Sequence, residues 1–170
     1  RITPKTKAII AVHLTGNPCD LDALRKLADE HKLILIEDCA QAWGAKYRGR
    51  PIGTIGHLAC FSLQNSKHIT CGDGGIVGTN DDRFGPLLQP CGDKGSNREG
   101  KRTFPLFATN YRMSEPQAAV AAYARAIALD PHYVDPVYGL GILYSAQLGD
   151  YANAVAAFER GLAQNPGNAF

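Results

Sequence analysis

LILIEDCAQAWGA, residues 33–45, begins with four apolar residues in succession and then turns acidic. A run that is apolar at odd and even positions alike suits a strand covered on both faces, the usual setting of a parallel sheet. AIIAVH (8–13), LACFSL (58–63) and GIVGT (75–79) are further strand candidates. Between the first two strands the sequence changes period. A turn around Gly16–Pro18 leads to Asp20, a good helix N-cap, then Leu21, Leu24, Leu27 and Ala28 follow at helical spacing. His31 lies near the expected end of that helix. Strand, helix and strand in alternation predict a layered α/β fold.

Composition narrows the function classes. The chain has 170 residues, 45% of them hydrophobic and 20% charged, with a net charge of +2. That balance gives no strong field toward nucleic acid or an anionic membrane. No apolar run approaches a membrane span, and no signal peptide is visible. Arg1 stands where a complete gene product would carry Met, so a partial product is expected. Five scattered cysteines (Cys19, Cys39, Cys60, Cys71, Cys91) without C-x-x-C spacing read as free thiols, which predicts a reducing, cytoplasmic setting.

Composition also shifts along the chain. All five cysteines and 10 alanines fall in residues 1–118, whereas residues 119–170 hold no cysteine and 13 alanines. Two units are therefore expected, 1–118 and 119–170. The second is repetitive: AVAAYARAIALDP (119–131) returns as AVAAFERGLAQNP (154–166). Ala119, Tyr123, Ala126 and Pro131 recur as Ala154, Phe158, Gly161 and Pro166, with VYGLGILYSAQLGDY (137–151) between. This small–aromatic–small pattern resembles a tetratricopeptide repeat, whose paired helices interlock at a period of about 34 residues. The turn between Tyr144 and Gly149 is one residue longer than that pattern and accounts for a shift of 35. The resemblance implies an all-α helical hairpin preceded by the second helix of another repeat.

The chemistry gathers in the first unit. Ligands of open parallel sheets sit beyond the carboxyl ends of the strands, where Glu37 and Asp38 fall. FSLQNSK places Ser62 and Lys67 just after another strand, CGDGG allows sharp backbone bends, and NYRMSEPQAA (110–119) opens a helix at Ser114. A lysine held partly neutral is a nucleophile toward carbonyls. An aspartate suits a protonated pyridine nitrogen, and a serine with free amides suits a phosphate. Together these needs describe pyridoxal 5'-phosphate.

With those motifs in that order, residues 2–119 resemble the sugar aminotransferases of the DegT/DnrJ/EryC1/StrS family. The resemblance implies part of the large domain of a fold type I pyridoxal-phosphate enzyme, joined to the repeat-like helices. By it, Lys67 would be the Schiff-base lysine and proton shuttle, and Asp38 would pair with the pyridine nitrogen. Gln41 would contact the ring, Ser62 would bind the phosphate, and Asn110 would reach the phosphate of a neighbouring subunit in a homodimer. The implied substrates are a nucleotide-linked keto-sugar and an amino donor, glutamate or glutamine. Lysine rather than histidine at 67 favours amino transfer over dehydration. The family's first segment and its small C-terminal domain have no counterpart here, and Trp43 and Asp73 depart from its commonest residues.

Other readings are weaker. GDGGIVG (72–78) has a β-type run after it where a dinucleotide loop needs a helix. His57 and Cys60 are spaced as half a metal site, but no second pair completes it, so no metal is expected. Neither a Walker loop nor a G-x-S-x-G elbow is present. The alternative to an enzyme is an inactive remnant serving as scaffold for a repeat module that binds protein, or a fusion without joint function.

Overall fold

The computed structural model describes residues 1–96, 104–132, 135–146 and 148–164. They divide into two compact units, Arg1–Ser62 with Gly75–Arg112, and Leu63–Gly74 with Met113–Phe170.

The first unit is built on a four-stranded sheet. Strands β1 (Ala8–Val12), β2 (Ile34–Asp38), β5 (Leu58–Ser62) and β6 (Gly75–Gly78) lie in the order β1-β2-β5-β6. A short hairpin, β3 (Lys46–Tyr47) and β4 (Arg50–Pro51), stands apart from the sheet. The first two pairings are parallel, as expected. The third is antiparallel. A parallel return needs a crossover, usually helical. The chain between Ser62 and Gly75 contains no helix, so β6 comes straight back beside β5.

Helix α1 (Leu21–Glu30) connects β1 to β2. Asp20 caps it by accepting the Ala23 N–H at 3.3 Å, and also takes the Tyr47 hydroxyl at 2.7 Å. Its apolar stripe meets the sheet: Leu21 and Ala28 are fully buried, packed in one core with Ala11, Leu35, Cys39 and Ala59. The opposite sheet face is exposed at the outer strands β1 and β6. Ile10 is 63% exposed, and Val12 and Val77 are also exposed. Among the described residues of this unit, α1 lies against one side of β1 and β2, and β2 alternates half-buried and buried along its length. No residue of β2 itself is exposed. Helix α2 (Gly85–Gly92) was not legible in the sequence, because Pro90 inside it and glycine at each end mask its period.

The second unit holds α3 (Glu115–Leu129), α4 (Asp135–Ala146) and α5 (Tyr151–Gln164), packed in sequence order. Glycines let aromatic rings approach the neighbouring backbone. A Cβ on Gly139 would meet the Tyr123 ring at 2.7 Å, one on Gly141 the Phe158 ring at 2.6 Å, and one on Gly161 the Tyr138 ring at 2.7 Å. Two of those rings, Tyr123 and Phe158, are the aromatics paired in the sequence repeat. Pro166 lies outside the described residues. Helix α3 crosses residue 118 without a break. The segment Leu63–Gly74 belongs to this helical unit, with Leu63, Ile69 and Cys71 buried. The Tyr144 hydroxyl on α4 is pushed up in pKa by burial, then by charge at Asp150 and Cys71.

Candidate functional site

Glu37 and Asp38 end the same strand on opposite faces, since side chains alternate along it. Glu37 points inward and is fully buried. Its carboxylate accepts the backbone N–H groups of Gly53 (2.7 Å), Ile55 (2.8 Å) and Gly56 (2.5 Å), and the Nε2–H of buried His13 at 3.2 Å. His13 Nδ1 in turn accepts the Cys19 N–H at 3.2 Å, which fixes the tautomer. His13, Glu37 and Cys39 sit close enough to resemble a metal cluster. Their acceptors are already committed to the backbone and to each other, and burial pushes the Cys39 thiol up to about 12, with the charges of Glu37 and Asp38 adding to it. The group is a structural node joining β1, β2 and the 53–56 turn. The sequence signalled an acid here but not that its partners would be backbone amides.

Asp38 faces the other way. In register it stands between Val12 of β1 and Cys60 of β5, and Cys60 stands beside Val77 of β6. Asp38 Oδ1 accepts the Ala40 N–H at 3.1 Å, which starts the turn that follows β2. Ser62, two positions beyond Cys60, shares that face at the carboxyl end of β5. Its carbonyl accepts the Trp43 Nε1–H at 2.8 Å, and the Trp43 ring lies 4.5 Å from that of Phe61. Trp43 therefore ties the turn after β2 to the end of β5, a role the sequence did not assign. Gln41 is exposed on the same turn, with Oε1 accepting the Thr15 N–H at 3.0 Å. Asp38, Gln41 and Ser62 thus gather at the carboxyl ends of two adjacent parallel strands.

Asn110 lies elsewhere in this unit, exposed, in an isolated antiparallel bridge to Asp93. Its Oδ1 accepts the Arg112 N–H at 3.2 Å. The Arg112 guanidinium pairs with Asp93 at 2.8 Å, where the Asp93 side chain is 2% exposed. That ion pair, buried at its Asp93 end and exposed at Arg112, anchors the N-Y-R stretch and leaves Asn110 and Tyr111 displayed.

Lys67 belongs to the second unit, half-buried on a turn where Gln64 O accepts its backbone N–H at 2.9 Å. The mouth of its loop is closed by Leu63 N–H to Gly74 O (2.9 Å) and by Cys71 N–H to Leu63 O (3.0 Å).

The sequence profile of the DegT/DnrJ/EryC1/StrS aminotransferase family matches residues 1–126, and a tetratricopeptide repeat profile matches 111–169. The chain is 44% identical over 119 residues to GDP-perosamine synthase of Caulobacter vibrioides, a match covering 70% of this chain and 32% of that one. It is 48% identical over 120 residues to dTDP-3-amino-3,4,6-trideoxy-alpha-D-glucose transaminase of Streptomyces venezuelae, covering 70% and 31%. Among solved structures, an aminotransferase from Psychrobacter cryohalolentis superposes with a TM-score of 0.68 at 36% identity, over 87% of this chain and 40% of that one. DesI, solved in the presence of its TDP-sugar product, gives a TM-score of 0.67 at 34% identity, over 86% and 37%. The chain spans about a third of the length of the curated relatives it matches.

Proposed function

The chain belongs to the DegT/DnrJ/EryC1/StrS aminotransferase family, and from that premise we propose that it carries the cofactor-binding part of a pyridoxal-phosphate-dependent sugar aminotransferase. Pyridoxal phosphate, when bound, supplies an aldehyde for an amine and a protonated ring that takes up electrons. The donor set suits it. Asp38 would hold the proton on the ring nitrogen, Ser62 would donate its hydroxyl to the phosphate, and Gln41 would contact the ring. Lys67 would supply the amine and move the proton between carbon positions during transfer. Asn110, displayed by its Arg112–Asp93 anchor, would reach the phosphate in a second copy of the chain. The proposed substrates are a nucleotide-linked keto-sugar and glutamate or glutamine. Five free thiols support a reducing, cytoplasmic setting.

The observation that carries this reading is the shared placement of Asp38 and Ser62 on one sheet face at the carboxyl ends of β2 and β5. The test is to add pyridoxal phosphate to the full chain, reduce with borohydride and locate the labelled peptide by mass spectrometry. Lys67 should carry the label, and the Lys67→Ala chain should lose it. Labelling spread over surface lysines in both chains would count against the enzyme. It would favour the second reading, a catalytic remnant attached to a protein-binding repeat, which the tetratricopeptide match at 111–169 supports. The boundary at 118/119 stands as a proposal of two ancestries meeting in α3, where the two family matches overlap.

A further inference from the structure

The loop that carries Lys67 contains no helix or strand to set its shape. Its return limb is instead gripped by the first turn of α3. Gln117 donates from Nε2 to the Asp73 carbonyl at 3.1 Å, and the Cys71 thiol donates to the same oxygen at 3.3 Å. At its other end, Gln117 Oε1 accepts the Ser114 N–H at 3.0 Å and the Ser114 hydroxyl at 2.9 Å, closing the capping box that starts α3. Met113 completes the grip. A Cβ on Gly74 would come within 2.6 Å of its sulfur and 2.9 Å of the Cys71 sulfur, so the Met113 side chain sits directly against the loop backbone.

We infer that Gln117 is a positioning residue for Lys67, a clasp that fixes the loop through the Asp73 carbonyl. The inference rests on the reading of Lys67 as the cofactor amine. Glutamate would serve the capping box equally well, and near a helix N-terminus its charge would be favourable. Glutamate cannot donate to a carbonyl, however, and the amide can. The choice of glutamine is therefore explained by the tether and not by the cap. Because Leu63 N–H meets Gly74 O and Cys71 N–H meets Leu63 O, holding residues 73 and 74 fixes both limbs of the loop. Lys67 sits on the turn between those limbs.

Two variants of the full chain separate cap from clasp. Gln117→Glu keeps the capping box and removes the donor, whereas Gln117→Ala removes both. Without cofactor, amide exchange in peptides spanning 63–74 should speed up about fivefold in Gln117→Glu, the factor expected from one lost hydrogen bond. Exchange in α3 should stay unchanged in that variant and rise only in Gln117→Ala. With pyridoxal phosphate and borohydride, labelling of Lys67 relative to exposed Lys46 should fall several-fold in Gln117→Glu, and the visible absorbance band of the cofactor-bound chain should weaken with it. Loop exchange equal to the parent chain would overturn the clasp. Faster loop exchange with Lys67 labelling and visible absorbance unaltered would overturn the positioning role, leaving packing alone. Should Lys67 stay unlabelled in the parent chain, the cofactor reading fails instead, and the exchange result still decides the clasp.

Discussion

At the scale of single residues, burial and hydrogen-bond partners separate neighbours that look alike in sequence. Glu37 and Asp38 are adjacent acids, yet one accepts four donors inside the core and the other faces the open side of the sheet. Glu37→Gln would point an amide at N–H groups that need acceptors, so a loss of about 3 kcal/mol is expected in chemical denaturation. Asp38→Asn should leave stability nearly unchanged while weakening pyridoxal phosphate binding. Cys39 supplies a pH test. Its thiol, ordinarily near 9 and pushed up to about 12, stays protonated in the folded chain at pH values where the unfolded chain ionises. The folded state then binds the extra proton, so stability is complete below about pH 9 and falls as pH rises from there toward 12. Denaturation midpoints measured from pH 8 upward should show that decline, and Cys39→Ala should flatten it.

At the scale of elements, two devices hold the second unit together. Ser114 caps α3 by accepting the Gln117 N–H, and Ser114→Ala should cost about 1 kcal/mol, read as an earlier thermal transition. Between helices, glycine lets a ring sit against the opposing backbone. Gly141→Val would bring its Cβ to 2.6 Å from the Phe158 ring, a clash with an expected cost of about 3 kcal/mol. Adding Phe158→Ala should recover part of that loss, because the second change removes the clashing ring. A strictly additive double variant would show that the ring and the glycine do not pack together. The repeat periodicity in the sequence revealed which rings matter. It did not reveal that the partner of each ring is a glycine on a neighbouring helix.

At the scale of the whole molecule, each unit has its own organising feature. The first presents a sheet with one face built into a core and the other carrying exposed Ile10, Val12 and Val77. Exposed apolar sheet surface favours association. Val12→Thr should reduce binding of a hydrophobic dye without lowering stability, and unchanged dye binding would place the accessible apolar surface elsewhere. The second unit takes in the lysine loop together with the repeat-like helices. No reading of composition could have grouped them, since the loop's cysteine and polar residues match the first half of the chain.

Local chemistry was enough to determine the four strands of the main sheet, the capped helices α1 and α3 and the repeat period, because periodicity, capping and turn preferences act over a few neighbouring positions. The reversal of β6, the open face of the sheet, the backbone partners of Glu37 and the grip of α3 on the lysine loop were decided only in three dimensions. Each depends on which distant groups meet, and a hydrogen-bond donor carries no mark in the sequence of the acceptor it will find.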